Sequence, residues 1–242
     1  MNMNEPTGKK ILALVRKGDY AHAGEEEAID LAFAGTTKDP KRIILDVGCG
    51  RGGTAHYVQS KGWGRVLGVD IDADSIAHAK GAYPGVEFMA ADVMSLSEKL
   101  SKKFDIVYLF NVLYVILDHP RLLARLRSLS REGGQLIIFD YLIKSQNKGV
   151  LPFKNWNPLD ISIARSLFSA SGWQINNVMD VSRFYEKWYR ALVSRIEENA
   201  DRITELAGEE WFNFAKTSYH NILESIEKGI PGGAIVYATV PI

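Results

Sequence analysis

Arg42-Ile43-Ile44-Leu45-Asp46-Val47-Gly48-Cys49-Gly50-Arg51-Gly52-Gly53 is the stretch on which the reading of this chain turns. Ile43, Ile44, Leu45 and Val47 form an apolar run without polar alternation. That pattern predicts a strand of a parallel sheet, covered on both faces. The glycines end the strand. They allow backbone turns that a Cβ forbids and let a ligand reach the main chain. No breaker occurs from Gly53 to Gln59, so a helix is expected there. Strand, glycine turn and helix N-terminus together make a site for a polar, often anionic, ligand group. Gly48, Gly50 and Gly53 also fit the dinucleotide pattern G-x-G-x-x-G, so the turn by itself leaves the ligand open.

The neighbouring acids narrow the choice. Asp46 lies two residues before the first glycine. A pyrophosphate would be repelled there and an ammonium attracted. The next apolar run, Val66-Leu67-Gly68-Val69, ends in Asp70, suited to the two hydroxyls of a ribose. The third, Val86-Glu87-Phe88-Met89-Ala90, leads to Asp92, suited to accept from an adenine amino group. S-adenosylmethionine carries an ammonium, a ribose and an adenine in that order.

The segments LDVGCGRGG, GVDID and AADV, the strand from Phe104 to Phe110, and Glu132 to Asp140 together resemble the class I S-adenosylmethionine-dependent methyltransferases. The resemblance covers roughly residues 41 to 180. It implies a doubly wound, mostly parallel α/β sheet of seven strands, Rossmann-like, with its ligand at the carboxyl ends of the strands. It implies S-adenosylmethionine as cofactor, bound by Asp46, Gly48, Gly50, Asp70, Ile71, Asp92, Val93 and Asn111. Asp92 also reads as a helix cap, and Asn111 as a turn or cap residue.

The chain has 242 residues, with 46% apolar, and 29 basic side chains balance 29 acidic ones. A general nucleic-acid binder would show a basic excess, so no nucleic-acid partner is expected. The single cysteine, Cys49, cannot form an internal disulfide, which fits a reducing, cytoplasmic compartment. It sits inside the glycine turn and is not read as a nucleophile. No apolar run reaches the roughly 20 residues of a membrane span, so no membrane partner is expected. No His/Cys cluster has metal-ligand spacing. The oligomeric state is left open.

Four segments are expected. Residues 1–40 form a helical N-terminal cap, 41–180 the cofactor-binding core, 181–231 a helical insertion, and 232–242 the last strand. Within the core, Asp72 caps a helix running to Lys80 and stopped by Gly81. Asp118-His119-Pro120 opens another, with Leu122, Leu123, Leu126 and Leu129 inward. Asn157-Pro158 starts a further helix. The insertion reads as two amphipathic helices, one striped by Phe184, Trp188, Leu192 and Ile196, the other by Trp211, Ala215, Tyr219, Ile222 and Ile226. Aromatic residues are denser there than packing requires, which suggests an acceptor cap.

Methyl transfer is an in-line displacement, so the protein chiefly aligns the reactants and excludes water. An amine or hydroxyl acceptor must also lose a proton, which makes a base useful. Tyr20 and His22, flanked by Gly18 and Gly24, read equally as a segment closing over the acceptor or as a surface loop. Tyr20, His22, Tyr114 and His220 are the candidate bases, with His22 favoured because neutral imidazole suits that role near pH 7. Tyr185, Trp188, Tyr189 and His220 are the expected acceptor contacts. These readings lead to a methyltransferase for a small molecule, with an amine or hydroxyl acceptor. The alternatives are a non-catalytic S-adenosylmethionine-binding regulatory module and a methyltransferase for a macromolecule. A nicotinamide oxidoreductase would leave Asp46 and Asp92 without a role.

Overall fold

Strand β1 (Ile43–Val47) lies inside the sheet between two parallel neighbours, as expected of a run that is apolar on both faces apart from Asp46. The computed structural model describes residues 1–97, 100, 103–143 and 151–241. The expected segments 41–180 and 232–242 each contain residues outside that set. β1 pairs in parallel with β2 (Arg65–Asp70) and β4 (Phe104–Phe110). β3 (Glu87–Ala90) extends the sheet beyond β2, and β5 (Ser130–Ile143) beyond β4. β6 is a two-residue strand, Leu159–Asp160, paired to the end of β5. β7 (Gln174–Asp180) and β8 (Gly232–Thr239) complete the sheet, with β8 antiparallel to both β5 and β7. The order is β3-β2-β1-β4-β5-β8-β7, so the expected seven-stranded, mostly parallel fold is present with β6 added.

Alternate side chains of the strands feed two cores. Ile44, Tyr108 and Phe139 face the N-terminal helices α1 (Pro6–Arg16) and α2 (Glu25–Phe33). The same core takes in α3 (Gly53–Ser60) and α4 (Ala73–Ala82). Leu45, Leu109 and Ile138 face α5 (His119–Leu129) and α6 (Ala164–Ala170) on the other side. Each helix buries one apolar stripe, which is the main source of its stability.

Three sequence expectations need correction. Asn157-Pro158 does not start a helix. Asn157 instead ties two turns together, its side chain donating to the carbonyls of Ile116 and Leu117. Leu159 and Asp160 are then held extended by β5, and the helix begins at Ala164. Gly81 does not stop α4, which runs through it to Ala82. The insertion holds three helices, not two: α7 (Ser182–Glu198), α8 (Ala200–Ala207) and α9 (Glu209–Glu227). Asn199 and Gly208 separate them. Phe184, read as part of the buried stripe of α7, is exposed, and the buried face is centred on Tyr185, Trp188, Tyr189 and Leu192.

Tyr185, Tyr189, Tyr219 and Ile226 share one core with Ile11, Val15 and Phe33. The N-terminal segment and the insertion therefore pack together over one face of the sheet. No helix among the described residues is long and apolar enough to cross a membrane.

Candidate active site

The turn after β1 is built by its neighbours. Gly48 and Cys49 both donate their backbone N–H to the Val69 carbonyl, at 2.8 and 3.0 Å, which folds the chain over the end of β2. Gly48 has φ +73°, and a Cβ there would lie 2.4 Å from the Val112 side chain. Gly50 has φ +52° but faces open space, with the Ala21 methyl 4.0 Å from where its Cβ would stand. The site therefore needs glycine twice, once for packing and once beside a gap.

Asp70 ends β2. Its Oδ2 accepts the Gly50 N–H at 2.8 Å, and its Oδ1 accepts the Asp72 N–H at 2.9 Å. Asp46 lies on β1 between Gly68 and Tyr108 and is almost fully buried. Its Oδ2 has no hydrogen-bond partner. Burial pushes its carboxyl up to about 8; the Asp70 charge acts in the same direction and the Tyr108 hydroxyl opposes. Ile71 is 78% exposed beside Asp70, and Val93 is buried. Asp92 is exposed and accepts the Met94 N–H at 2.9 Å, capping the short 3-10 turn Val93–Ser95. Asn111 follows β4 in a left-handed conformation, φ +53°, and donates to the Tyr185 hydroxyl at 3.2 Å. All these residues stand at the carboxyl ends of the first four strands.

Sequence reasoning missed three side chains. Asp140, at the end of the apolar part of β5, accepts the N–H groups of Leu113 at 2.6 Å and Tyr141 at 2.7 Å, which fixes the turn after Asn111. Burial pushes it up to about 7, against the pull of those donors. Lys9 reaches from α1 to Asp72 at 2.9 Å, Ser75 at 3.1 Å and Asp70 at 3.6 Å. Asp19 accepts from Arg51 at 2.6 Å and from His78 and Tyr83 at 2.9 Å. Burial raises its pKa, but the His78, Arg51 and Tyr83 hydrogen bonds outweigh it and the carboxyl is lowered. The Asp19 carbonyl also takes the Gly53 N–H, so α1 and the loop after it are fastened over the glycine turn. An acid beside Tyr20 and an arginine inside the glycine turn were the visible signals for the Asp19 cluster.

The structure corrects the role expected of His22. It is buried, with its ring 4.8 Å from that of Phe110. Nδ1 lies 3.2 Å from the Ala23 carbonyl and Nε2 3.0 Å from Thr54 Oγ1, so both nitrogens are engaged. Burial lowers its pKa to about 3. It is a neutral core histidine and is not among the residues that line the cavity beside Asn111. Tyr20 donates to Glu26 at 3.1 Å, and its pKa is raised by burial and that acid. His220 is corrected as well: it faces outward on α9, near Lys216 and Glu197. Trp188 is a packing residue, its indole N–H donating to Glu27 at 2.8 Å and its ring covering Gly24.

Tyr114 and Tyr189 do meet at one cavity, of about 310 Å³, beside Asn111. Its walls include Tyr141, Trp156, Phe214 and Tyr219. The Tyr141 and Tyr189 hydroxyls are hydrogen-bonded, and Tyr114 and Tyr141 stand 4.8 and 4.4 Å from Trp156, ring to ring. The titratable side chains lining it are tyrosines, and burial raises each of them. Tyr185 stands behind Asn111. No group of three or more metal-ligating side chains occurs among the described residues.

Residues 20–178 match the family model described as a methyltransferase domain. The putative methyltransferase 235L of Invertebrate iridescent virus 6 is 26% identical over 133 residues, 54% of this chain and 48% of that one. Trans-aconitate 2-methyltransferase of Deinococcus radiodurans is 38% identical over 101 residues, 41% of this chain and 38% of that one. The matched stretch spans less than half the length of both relatives. Among solved structures, Haemonchus contortus phosphoethanolamine N-methyltransferase 2, with phosphomonomethylethanolamine and S-adenosylhomocysteine, superposes at a TM-score of 0.86. Its identity is 17%, over 98% of this chain and 57% of that one, a likeness of fold.

Proposed function

The chain belongs to the methyltransferase-domain family, and from that premise we propose that it transfers a methyl group from S-adenosylmethionine to a small molecule. One observation carries the reading: Asp70 and Gly50, joined by a hydrogen bond, stand at one sheet edge with Asn111 and an aromatic cavity.

The residues present suit the cofactor. Asp46 keeps a buried carboxyl oxygen without a partner; an ammonium there would satisfy it and draw the carboxyl back toward its charged form. Gly50 leaves space at the turn for the methionine part, with Gly48 and Asn111 beside it. Asp70 would take the ribose hydroxyls, and Ile71, Asp92 and Val93 would meet the adenine. Bound there, the cofactor would supply an activated methyl group, because its sulfonium sulfur takes the bonding electrons and departs as the neutral thioether of S-adenosylhomocysteine.

The chain's own part is alignment and exclusion of water. Lys9 and Asp19 hold α1 and its loop down over the turn. Tyr114 and Tyr189 shape the cavity that takes the acceptor, an amine or a hydroxyl in this reading. Their raised pKa values make them hydrogen-bonding groups near neutral pH, not bases. Proton removal then falls to water or to the acceptor itself.

Calorimetry with S-adenosylmethionine, followed by S-adenosylhomocysteine release across small amines, hydroxyls and acids, tests the proposal. Binding without release on any small acceptor would favour a regulatory binder. Failure to bind would end the reading.

A further inference from the structure

Asn111 stands where the two halves of the proposed site meet. It follows β4, and its neighbour Val112 packs against Gly48 in the glycine turn. Asn111 itself lines the cavity. Its backbone is left-handed, φ +53°, and its N–H donates to the Phe139 carbonyl at 2.8 Å. Glycine takes that conformation without a steric penalty, and asparagine tolerates it. The turn therefore does not require the side chain, and the use of the amide is read from what it touches.

The amide faces one buried hydroxyl. Asn111 Nδ2 donates to the Tyr185 oxygen at 3.2 Å, and Asn111 Oδ1 accepts from the same hydroxyl at 3.4 Å. Tyr185, on α7, is fully buried and is not among the residues that line the cavity, so it is not the acceptor contact expected from the sequence. Its ring stands 5.1 Å from that of Phe139 and 5.3 Å from that of Tyr141. It also lies over Gly233, where a Cβ would be 2.2 Å from the ring. A ring held on these sides fixes its hydroxyl, and the hydroxyl fixes the amide. A side-chain amide has two N–H donors and two lone pairs on its oxygen. Tyr185 engages one of each. One N–H and one lone pair are left for the cavity, and exchanging the two ends of the amide leaves the same pair.

We infer that Asn111 holds the acceptor's nucleophilic atom through a hydrogen on that atom, which Oδ1 accepts, and that Tyr185 is the positioning residue that fixes the amide for it. The acceptor is then a primary or secondary amine or a hydroxyl, and not a tertiary amine, a thioether or a carboxylate. With its hydrogen held by Oδ1, the atom's lone pair is left for the methyl group. That lone pair forms the new bond to carbon, and the carbon–sulfur electron pair passes to sulfur. Positive charge gathers on the acceptor atom, so the hydrogen bond to Oδ1 strengthens in the transition state. An amide oxygen is too weak a base to keep the proton, which leaves to water. The inference rests on the methyltransferase reading of the cavity and narrows its acceptor.

The test is calorimetry on the full chain saturated with S-adenosylhomocysteine, with phenol, aniline and toluene as probes at millimolar concentration. The three share a flat body of nearly one size, and toluene alone has no hydrogen on nitrogen or oxygen. Asn111→Gly suits the left-handed backbone and removes the amide. It should weaken phenol and aniline about two- to tenfold, the worth of a hydrogen bond between neutral groups, and leave toluene nearly unchanged. Asn111→Asp keeps an accepting oxygen and should retain the preference for phenol over toluene. Tyr185→Phe, which leaves the cavity wall intact, should show the same split as Asn111→Gly at smaller size. A general packing defect would weaken all three probes alike. The inference is overturned if Asn111→Gly or Tyr185→Phe does not weaken phenol more than toluene, if Asn111→Asp loses the preference, or if neither phenol nor aniline binds the parent. If S-adenosylhomocysteine itself fails to bind the parent, the methyltransferase reading falls, and the same probe ratios measured on the free proteins judge the Asn111 contact alone.

Discussion

The carboxylate of Asp70 accepts the backbone N–H of Gly50 at 2.8 Å, across a separation of 20 residues. The acid proposed for the ribose thus also braces the turn proposed for the methionine part. Asp70→Asn keeps an acceptor for Gly50 and removes the charge. We expect S-adenosylmethionine affinity to fall about tenfold or more, since hydrogen bonds to charged groups are worth about 1.5–3 kcal/mol. Calorimetry on the folded variant measures this, and unchanged affinity removes Asp70 from the site.

Gly50→Val should abolish cofactor binding. The left-handed backbone at φ +52° disfavours a β-branched residue, and the side chain would enter the gap facing Ala21. Helical circular dichroism should persist, because the turn lies outside the helices. Normal binding by this variant would leave the glycine a purely structural role.

His22 gives a pH signature in stability instead of in catalysis. Unfolded, it titrates near its ordinary 6.5; folded, it is lowered to about 3. The unfolded chain binds the extra proton between those values, so stability is full above about 6.5 and falls as pH drops toward 3. At pH 5 the loss from this residue is about 2 kcal/mol. His22→Gln should lose that much less than the parent when urea unfolding is compared near neutral pH and near pH 5. His119 is lowered too, and Asp46 and Asp140 are raised, but all three remain in both proteins. Equal losses in the two proteins would contradict the buried neutral ring. The pH profile of turnover should be unaltered.

Trp188→Ala and Tyr189→Ala should separate stability from acceptor binding. Trp188 covers Gly24 and holds Glu27, so its loss should cost about 3–5 kcal/mol and leave both Michaelis constants near their original values in the folded protein. Tyr189 lines the cavity, so Tyr189→Ala should raise the acceptor's Michaelis constant more than the cofactor's. Thermal unfolding and steady-state kinetics on both variants decide it.

The alternation of strands and helices along the chain and the glycine turn were legible because each rests on a local rule over consecutive residues. The placement of Asp46, Asp70 and Asp92 at or near the carboxyl ends of three strands was legible for the same reason. The Lys9–Asp72 and Asp19–Tyr83 contacts join residues 63 and 64 positions apart, and no local pattern encodes them. His22 looked like a loop residue because glycines flank it. The fold turns that loop inward against Phe110 and Phe139, which periodicity does not reach. His220 was closer to legible. It follows Tyr219 on α9, and adjacent helix positions point about 100° apart, so a buried Tyr219 turns it away from the cavity.

β7 ends and β8 begins side by side. The Val181 N–H donates to the Gly233 carbonyl at 2.8 Å, so α7, α8 and α9 leave the sheet and rejoin it through one narrow neck. A segment whose two ends already meet can lengthen, shorten or change its side chains without shifting the strands that anchor it. The cofactor edge, spread across β1 to β4, has no such freedom, since each acid there depends on the register of its neighbours. On the proposed reading, a change of acceptor falls on the loop-closed helices, while the donor half stays bound to the geometry of the sheet.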